Sequence, residues 1–270
     1  MLYAKRLKLL LLYTMLANKS YLCLVILVFN LLGCGHLPDR EVLYQASTIQ
    51  ALSAGDYDGQ VTLCALKGHG DFGLGTFQGL DGEMVALDGL FYQVKVNGHV
   101  YPVNEAEGIP FAQVTFFDTD KTFAVDNELS YAELRQYLDK LLSSKNIFYA
   151  VKISGLFKYV KTRSVPKQVK PYSGLDQAVK EQKVFEFHDI RGSVVGWRSP
   201  EYFKGFSVGG YHLHFISEDR LSGGHLLDFQ TSGVIIEIDE TTDFYLSLPT
   251  NEEFLGLNLN AEEAKAGVSE

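Results

Sequence analysis

What most constrains this chain is a succession of short apolar runs broken at close intervals by glycine-bearing turns. Phe72 to Phe77 and Glu83 to Asp88 flank the turn sequence Gly79-Leu80-Asp81-Gly82. Leu90 to Val96 turns through Asn97-Gly98 into Val100 to Val103, and Phe111 to Phe117 continues the series. Short runs bounded by Gly, Asn and Asp read as strands, and Asn-Gly between alternating apolar runs is the strongest short-range hairpin signal. Earlier, Glu41 to Asp56 reads as a short strand followed by a helical turn.

One helix stands out. Ser130 is placed to cap a stretch from Tyr131 to Leu142 whose apolar residues Leu134, Tyr137, Leu138, Leu141 and Leu142 share one face. Strand character returns from Phe148 to Gly155 and from Leu156 to Lys161. Residues 166–183 are polar, contain Pro166 and Pro171, and read as a connector with a short helix near Leu175 to Glu181. Beyond it the pattern is β again: Val184 to Phe187, Gly192 to Trp197, Tyr211 to Ile216, His225 to Phe229, Val234 to Ile238 and Phe244 to Leu248. The expected fold is α+β and strand-rich, in two parts with mixed and antiparallel sheets. Residues 35–165 form an N-terminal α/β subdomain and 184–270 a C-terminal β subdomain ending in an acidic tail.

The N-terminus is of a different kind. From Leu9 to Leu32 it is strongly apolar, interrupted by Ala17-Asn18-Lys19-Ser20, and a basic region precedes it. That is the layout of a secretory signal, and Leu31-Leu32-Gly33-Cys34 resembles the lipobox of bacterial lipoproteins, in which the cysteine carries the lipid. Residues 1–34 are expected to be an export segment that leaves a lipoprotein or secreted body. Met15 is an alternative start, and a start beyond the apolar segment would leave the protein cytoplasmic. The leading 34 residues hold Lys5, Arg6, Lys8 and Lys19 and no acid, so of 24 basic and 33 acidic residues the remainder keeps 20 and 33, net −13. That balance argues against non-specific binding to nucleic acid or an anionic membrane, both of which need a basic face, and membrane contact is expected only through the N-terminal anchor or lipid. Cys23 and Cys34 fall in the apolar segment, which leaves Cys64 alone in the body with no partner for an internal disulfide. Cys64 reads as a small buried apolar residue.

Chemistry concentrates in Tyr211-His212-Leu213-His214-Phe215-Ile216. In a strand alternate side chains share a face, so His212 and His214 project together while Tyr211, Leu213 and Phe215 claim the core. The turn Glu218 to Gly224 follows, and His225 opens the next strand. One register of the resulting hairpin sets His225 beside the pair. Three imidazoles with open positions are the form a catalytic divalent metal takes. The hairpin alone fits a barrel oxygenase binding iron as well as other metalloenzymes. His36, His69, His99 and His188 lack partners in sequence, and His69 in Gly-His-Gly-Asp reads as a turn residue.

Three segments resemble the signatures of the acetolactate decarboxylases: Gly68 to Glu83, Lys161 to Lys167 and Gly210 to His225. The likeness runs from about Leu43 to Leu259. It implies conversion of 2-acetolactate to acetoin and CO2, a zinc-type site on His212, His214 and His225, and a homodimer formed by sheet extension. It also implies that Glu83 is the catalytic glutamate and proton donor, that Arg163 holds the substrate carboxylate, and that Thr76 lies in the pocket. A tail carboxylate completes the family's site, and Glu270 is the candidate here. No organic cofactor is implied, because the substrate's ketone and the metal accept the electrons. Without the resemblance, Arg163 reads as an exposed strand-end cation and Glu83 as a solvated turn residue. The glycines from 68 to 82 lack the Lys-Ser/Thr of a phosphate loop. A non-catalytic metal-binding lipoprotein is the remaining alternative.

Overall fold

The computed structural model describes residues 41–259. The apolar N-terminal segment expected to direct export, Cys34 and Glu270 therefore lie outside the described residues. Two sheets make up the body. The first runs in the order β14 (Asp243–Ser247), β1 (Val42–Ala46), β8 (Phe111–Thr115), β3 (Phe72–Thr76), β4 (Glu83–Leu87), β5 (Leu90–Val94) and β6 (Val100–Pro102). It is mixed: β14 lies parallel to β1, whereas β1 with β8, β8 with β3, and β3 through β6 pair antiparallel. A short ladder of β2 (Val61–Thr62) and β7 (Gly108–Ile109) stands apart.

The second sheet is antiparallel, in the order β10 (Phe148–Ser164), β11 (Lys183–Ser199), β12 (Gly210–Ser217), β13 (Gly223–Thr241) and β9 (Lys121–Val125). Because β10 pairs with β13 as well as with β11, these four long strands close on themselves. Their enclosed face buries Ile153, Phe157, Phe215, Phe229 and Ile236. The helix Tyr131–Leu141 packs Leu134 and Leu138 into the same cluster, and Ser130 and Glu133 form a reciprocal cap at its start. The sheets meet through a shared cluster. Leu43, Leu74, Val85 and Phe111 of the first pack with Ala150, Val195, Trp197 and Ile216 of the second. Each Leu, Ile, Val or Phe side chain there removed from water contributes roughly 1.5–3 kcal/mol, so this interface holds the strands that carry the chemistry.

Several strands run longer than the sequence pattern suggests. The runs 148–155 and 156–161 are one strand, β10, and the pairs of runs in β11 and β13 likewise merge. Gly155, at φ +153, bends β10 without ending it, and the register against β13 slips between Gly155 and Phe157. The expected division into 35–165 and 184–270 does not coincide with the sheets. β9 and β10 precede the connector yet belong to the second sheet, and β14 near the C-terminus returns to the first. The connector joins two paired strands, β10 and β11, and holds a helical turn at Leu175–Ala178 continued by Val179–Glu181. Cys64 is exposed, not buried, because it lies on the outer side of the one-turn helix Leu63–Leu66, whose Leu63 and Leu66 face inward. No helix among the described residues is long and apolar enough to cross a membrane.

Candidate metal centre

The β12–β13 hairpin sets the histidines. Ser217 Oγ donates to Asp219 Oδ1 at 2.6 Å, and Ser217 N donates to Ser222 O at 2.9 Å, which closes the turn tightly. In the register so fixed, His214 and His225 are directly opposed. Strand alternation places Leu213 and Phe215 in the second sheet's interior and turns His212 and His214 toward the first sheet. The three ring centroids form a nearly equilateral triangle with sides of 5.3, 5.2 and 5.2 Å. One nitrogen from each ring lies within 4.8 Å of the others.

The donor set fits a metal ion. A carbonyl can only accept, so His214 Nδ1 carries the proton in its 2.7 Å bond to Met84 O, and its Nε2 presents a lone pair to the triangle. His225 Nδ1 stands 3.2 Å from that Nε2. Two imidazole nitrogens on one tetrahedral zinc, each about 2.0–2.1 Å from it, are about 3.3 Å apart. His212 Nδ1 is buried without a hydrogen-bond partner. Burial, then the neighbouring imidazole of His214 and the Arg163 guanidinium, holds His212 well below the ordinary histidine range. Burial, followed by Arg163 and the other imidazoles, does the same for His225. His214 is pushed down to about 3 by burial, with Arg163 adding to it and the Met84 bond opposing. All three rings are neutral at physiological pH, the state that coordination of a metal requires.

Carboxylate, guanidinium and hydroxyl arrive from other strands. Thr76 closes β3 and Glu83 opens β4, and the two are cross-strand partners. Between them the turn depends on Gly82, at φ +80, where a Cβ would lie 2.2 Å from Val94 O. Only glycine satisfies both conditions. Thr76 Oγ1 donates to Gly82 O at 2.7 Å and so fastens the turn that delivers Glu83. Glu83 Oε2 lies 3.6 Å from His214 Nε2. Arg163, opposite His225 in the β10–β13 ladder, brings its guanidinium to 4.0 Å from Glu83 Oε1. Both Glu83 Oε1 and that guanidinium nitrogen are buried and lack a hydrogen-bond partner. Buried polar groups are normally satisfied, so the pair presents unused bonding capacity beside the histidines. Burial pushes the Glu83 carboxyl up to about 7, against the opposing pull of Arg163.

Six of the seven residues singled out in the sequence thus converge, and Glu270 lies outside the described residues. Neither Arg163 nor Glu83 is the solvated residue its local sequence suggests. One contributor carried no signal in the sequence: the backbone carbonyl of Met84, which fixes the His214 tautomer. Position, not residue type, gives it that role.

Comparison with known proteins agrees with this arrangement. The sequence model of the family described as Alpha-acetolactate decarboxylase matches residues 43–261. The Alpha-acetolactate decarboxylase of Methanosarcina mazei is 51% identical over 229 residues, covering 83% of this chain and 80% of the relative. That of Methylococcus capsulatus is 42% identical over 232 residues, covering 85% and 88%. The crystal structure of alpha-acetolactate decarboxylase from Bacillus subtilis strain 168 superposes with a TM-score of 0.81 at 41% identity, over 83% of this chain and 96% of that one. With its histidine triangle, paired sheets and matched length, the chain belongs to the alpha-acetolactate decarboxylase family.

Proposed function

We propose that the protein decarboxylates 2-acetolactate to acetoin and CO2, with zinc held by His212, His214 and His225. The observation that carries this reading is the convergence of three neutral imidazoles, a partly protonated carboxyl and a guanidinium with a buried nitrogen free of hydrogen bonds in one site. The bound metal would supply Lewis acidity toward the electron pair left behind as CO2 departs. Arg163 holds the substrate carboxylate through charge-assisted hydrogen bonds and so orients the carbon–carbon bond that breaks. As that bond breaks, its electrons move onto the adjacent ketone. Glu83, whose carboxyl burial raises to about 7 in the metal-free site, donates a proton to the carbon that lost CO2 and is reprotonated from solvent. Thr76 keeps that donor in place through its bond to the Gly82 carbonyl. Glu270 is assigned to the same centre as the family's tail carboxylate.

Two further features belong to the reading. The apolar segment ending at Cys34 supports export with lipid attachment at that cysteine. Among the described residues the first sheet ends in the edge strands β14 and β6, which supports a homodimer formed by sheet extension. The reaction is tested by the stereochemistry of its product. A single acetoin enantiomer, formed faster than spontaneous decarboxylation, is expected from the purified protein by chiral gas chromatography. Racemic acetoin at the uncatalysed rate would overturn the reading.

A further inference from the structure

Arg163 is flanked on β10 by two hydroxyl residues, Thr162 and Ser164, both fully buried. Strand alternation sends them to the face opposite Arg163. Both hydroxyls donate to backbone carbonyls, Thr162 to the paired strand β13 and Ser164 to the other sheet. Thr162 Oγ1 donates to Gly223 O at 2.9 Å, in the hairpin that carries His214 and His225. Ser164 Oγ donates to Val94 O at 2.8 Å, on β5, and Val94 is the residue directly opposite Glu83. The contact at Val94 is close on both sides, because the Gly82 Cα that leads into Glu83 leaves no room for a Cβ beside the same carbonyl. At this one point three strands meet: β10 with Arg163, β5 with Val94 and β4 with Glu83. The other end of the span is equally constrained, since a Cβ on Gly224 would meet Arg163 O at 2.5 Å.

We infer that Ser164 and Thr162 are positioning residues that set where the Arg163 guanidinium stands relative to Glu83 and the histidines. Thr162 fastens the arginine strand to the histidine hairpin, and Ser164 fastens it to the sheet that bears the glutamate. Each does so through a backbone carbonyl and touches no reacting atom. The 4.0 Å separation between Arg163 and Glu83 exceeds hydrogen-bonding distance. No direct hydrogen bond between the two side chains sets their spacing, which leaves a part for the backbone anchors. Ser164 has the larger effect, because it spans the two sheets while Thr162 acts within one. Serine and threonine both suit this role, since a hydroxyl is the smallest side-chain group that can donate to a buried carbonyl without adding charge.

The inference rests on the reading that Arg163 holds the substrate carboxylate, and the test separates the two. Steady-state kinetics on 2-acetolactate are measured with the metal-loaded full-length protein and with S164A, S164T and R163A, alongside bound metal and thermal midpoint. S164A is expected to raise KM by about five- to tenfold, the worth of one neutral hydrogen bond, with kcat changed less. Its metal content should match that of wild type, and S164T should recover most of the loss. Inhibition by a simple 2-hydroxycarboxylate should weaken in S164A, while inhibition by a diol lacking the carboxylate should not. An S164A enzyme with unchanged KM, beside an R163A enzyme with raised KM, would overturn the positioning role alone. Unchanged KM in R163A would overturn the carboxylate-holding role and the inference with it. A loss in S164A that S164T fails to recover, and that falls equally on both inhibitors, would show a general packing defect and refute the inference.

Discussion

Glu83→Gln separates catalysis from stability at a single atom. The amide is nearly isosteric with the carboxyl it replaces, so the turn held by Thr76 and Gly82 should persist, but it cannot donate a proton and regain it. General acid catalysis by a positioned side chain is worth about 10²- to 10⁴-fold, and kcat is expected to fall by that factor, about 3–5 kcal/mol. The protonated form is the donor, so wild-type activity should fall on an alkaline limb as the carboxyl ionises, and the variant should lose that limb. Without metal, burial sets that carboxyl at about 7. Stability moves the other way in metal-free protein. The folded-state pKa lies above the unfolded value, so the unfolded chain releases its proton first. Stability is therefore fully present below about pH 4.5 and is lost as pH rises through about 7, by roughly 3 kcal/mol. Glutamine does not titrate. Metal-free Glu83→Gln should thus be more stable than metal-free wild type by about 3 kcal/mol at pH 8, with the advantage vanishing toward pH 4. Acetoin formation across pH, together with urea denaturation of the two apo-proteins at both pH values, measures each effect. A variant retaining activity within tenfold of wild type, or keeping the alkaline limb, would refute the assignment of Glu83 as proton donor.

Arg163→Ala should reduce kcat/KM by about 10²- to 10³-fold through the loss of charge-assisted bonds to the carboxylate, read by initial-rate kinetics. It should also move the Glu83 titration upward, since Arg163 is what opposes the effect of burial there; a pH–difference infrared measurement of the carboxyl would show it. His225→Ala should take bound metal from about one per chain to nearly none, by inductively coupled plasma analysis of the purified protein. Gly82→Ala should destabilise by more than about 2 kcal/mol in urea titration, because the positive φ is compounded by a Cβ placed 2.2 Å from Val94 O.

Legibility from sequence tracks the range of the interaction. The His-x-His face was readable because strand alternation is a two-residue rule, and the turn from Glu218 to Gly224 made the His214–His225 pairing one of few available registers. The Ser130-capped helix was readable for the same reason, since its cap and apolar face lie within one segment. Arg163 was not readable from its surroundings. It reaches the site only because β10 pairs with β13, 62 residues further on, and closes the four strands on themselves. Nor was the return of β14 to lie parallel with β1, which joins residues about 200 apart. The sequence pattern gives shorter strands where Gly155 closes one run and Gly192 opens another. Pairing on both sides of β10 and β11 carries those strands through their glycines. Glu83 illustrates the general point: a carboxylate after Asp-Gly looks solvated until a second sheet is laid over it.

The most direct measurement is acetoin formation from racemic 2-acetolactate by the purified protein, before and after treatment with a chelator and again after addition of zinc. Acetoin production well above the spontaneous rate, abolished by the chelator, restored by zinc and absent in His212→Ala, is the expected result. Full metal occupancy at the three histidines with no acetoin above background would contradict a decarboxylase built on this centre.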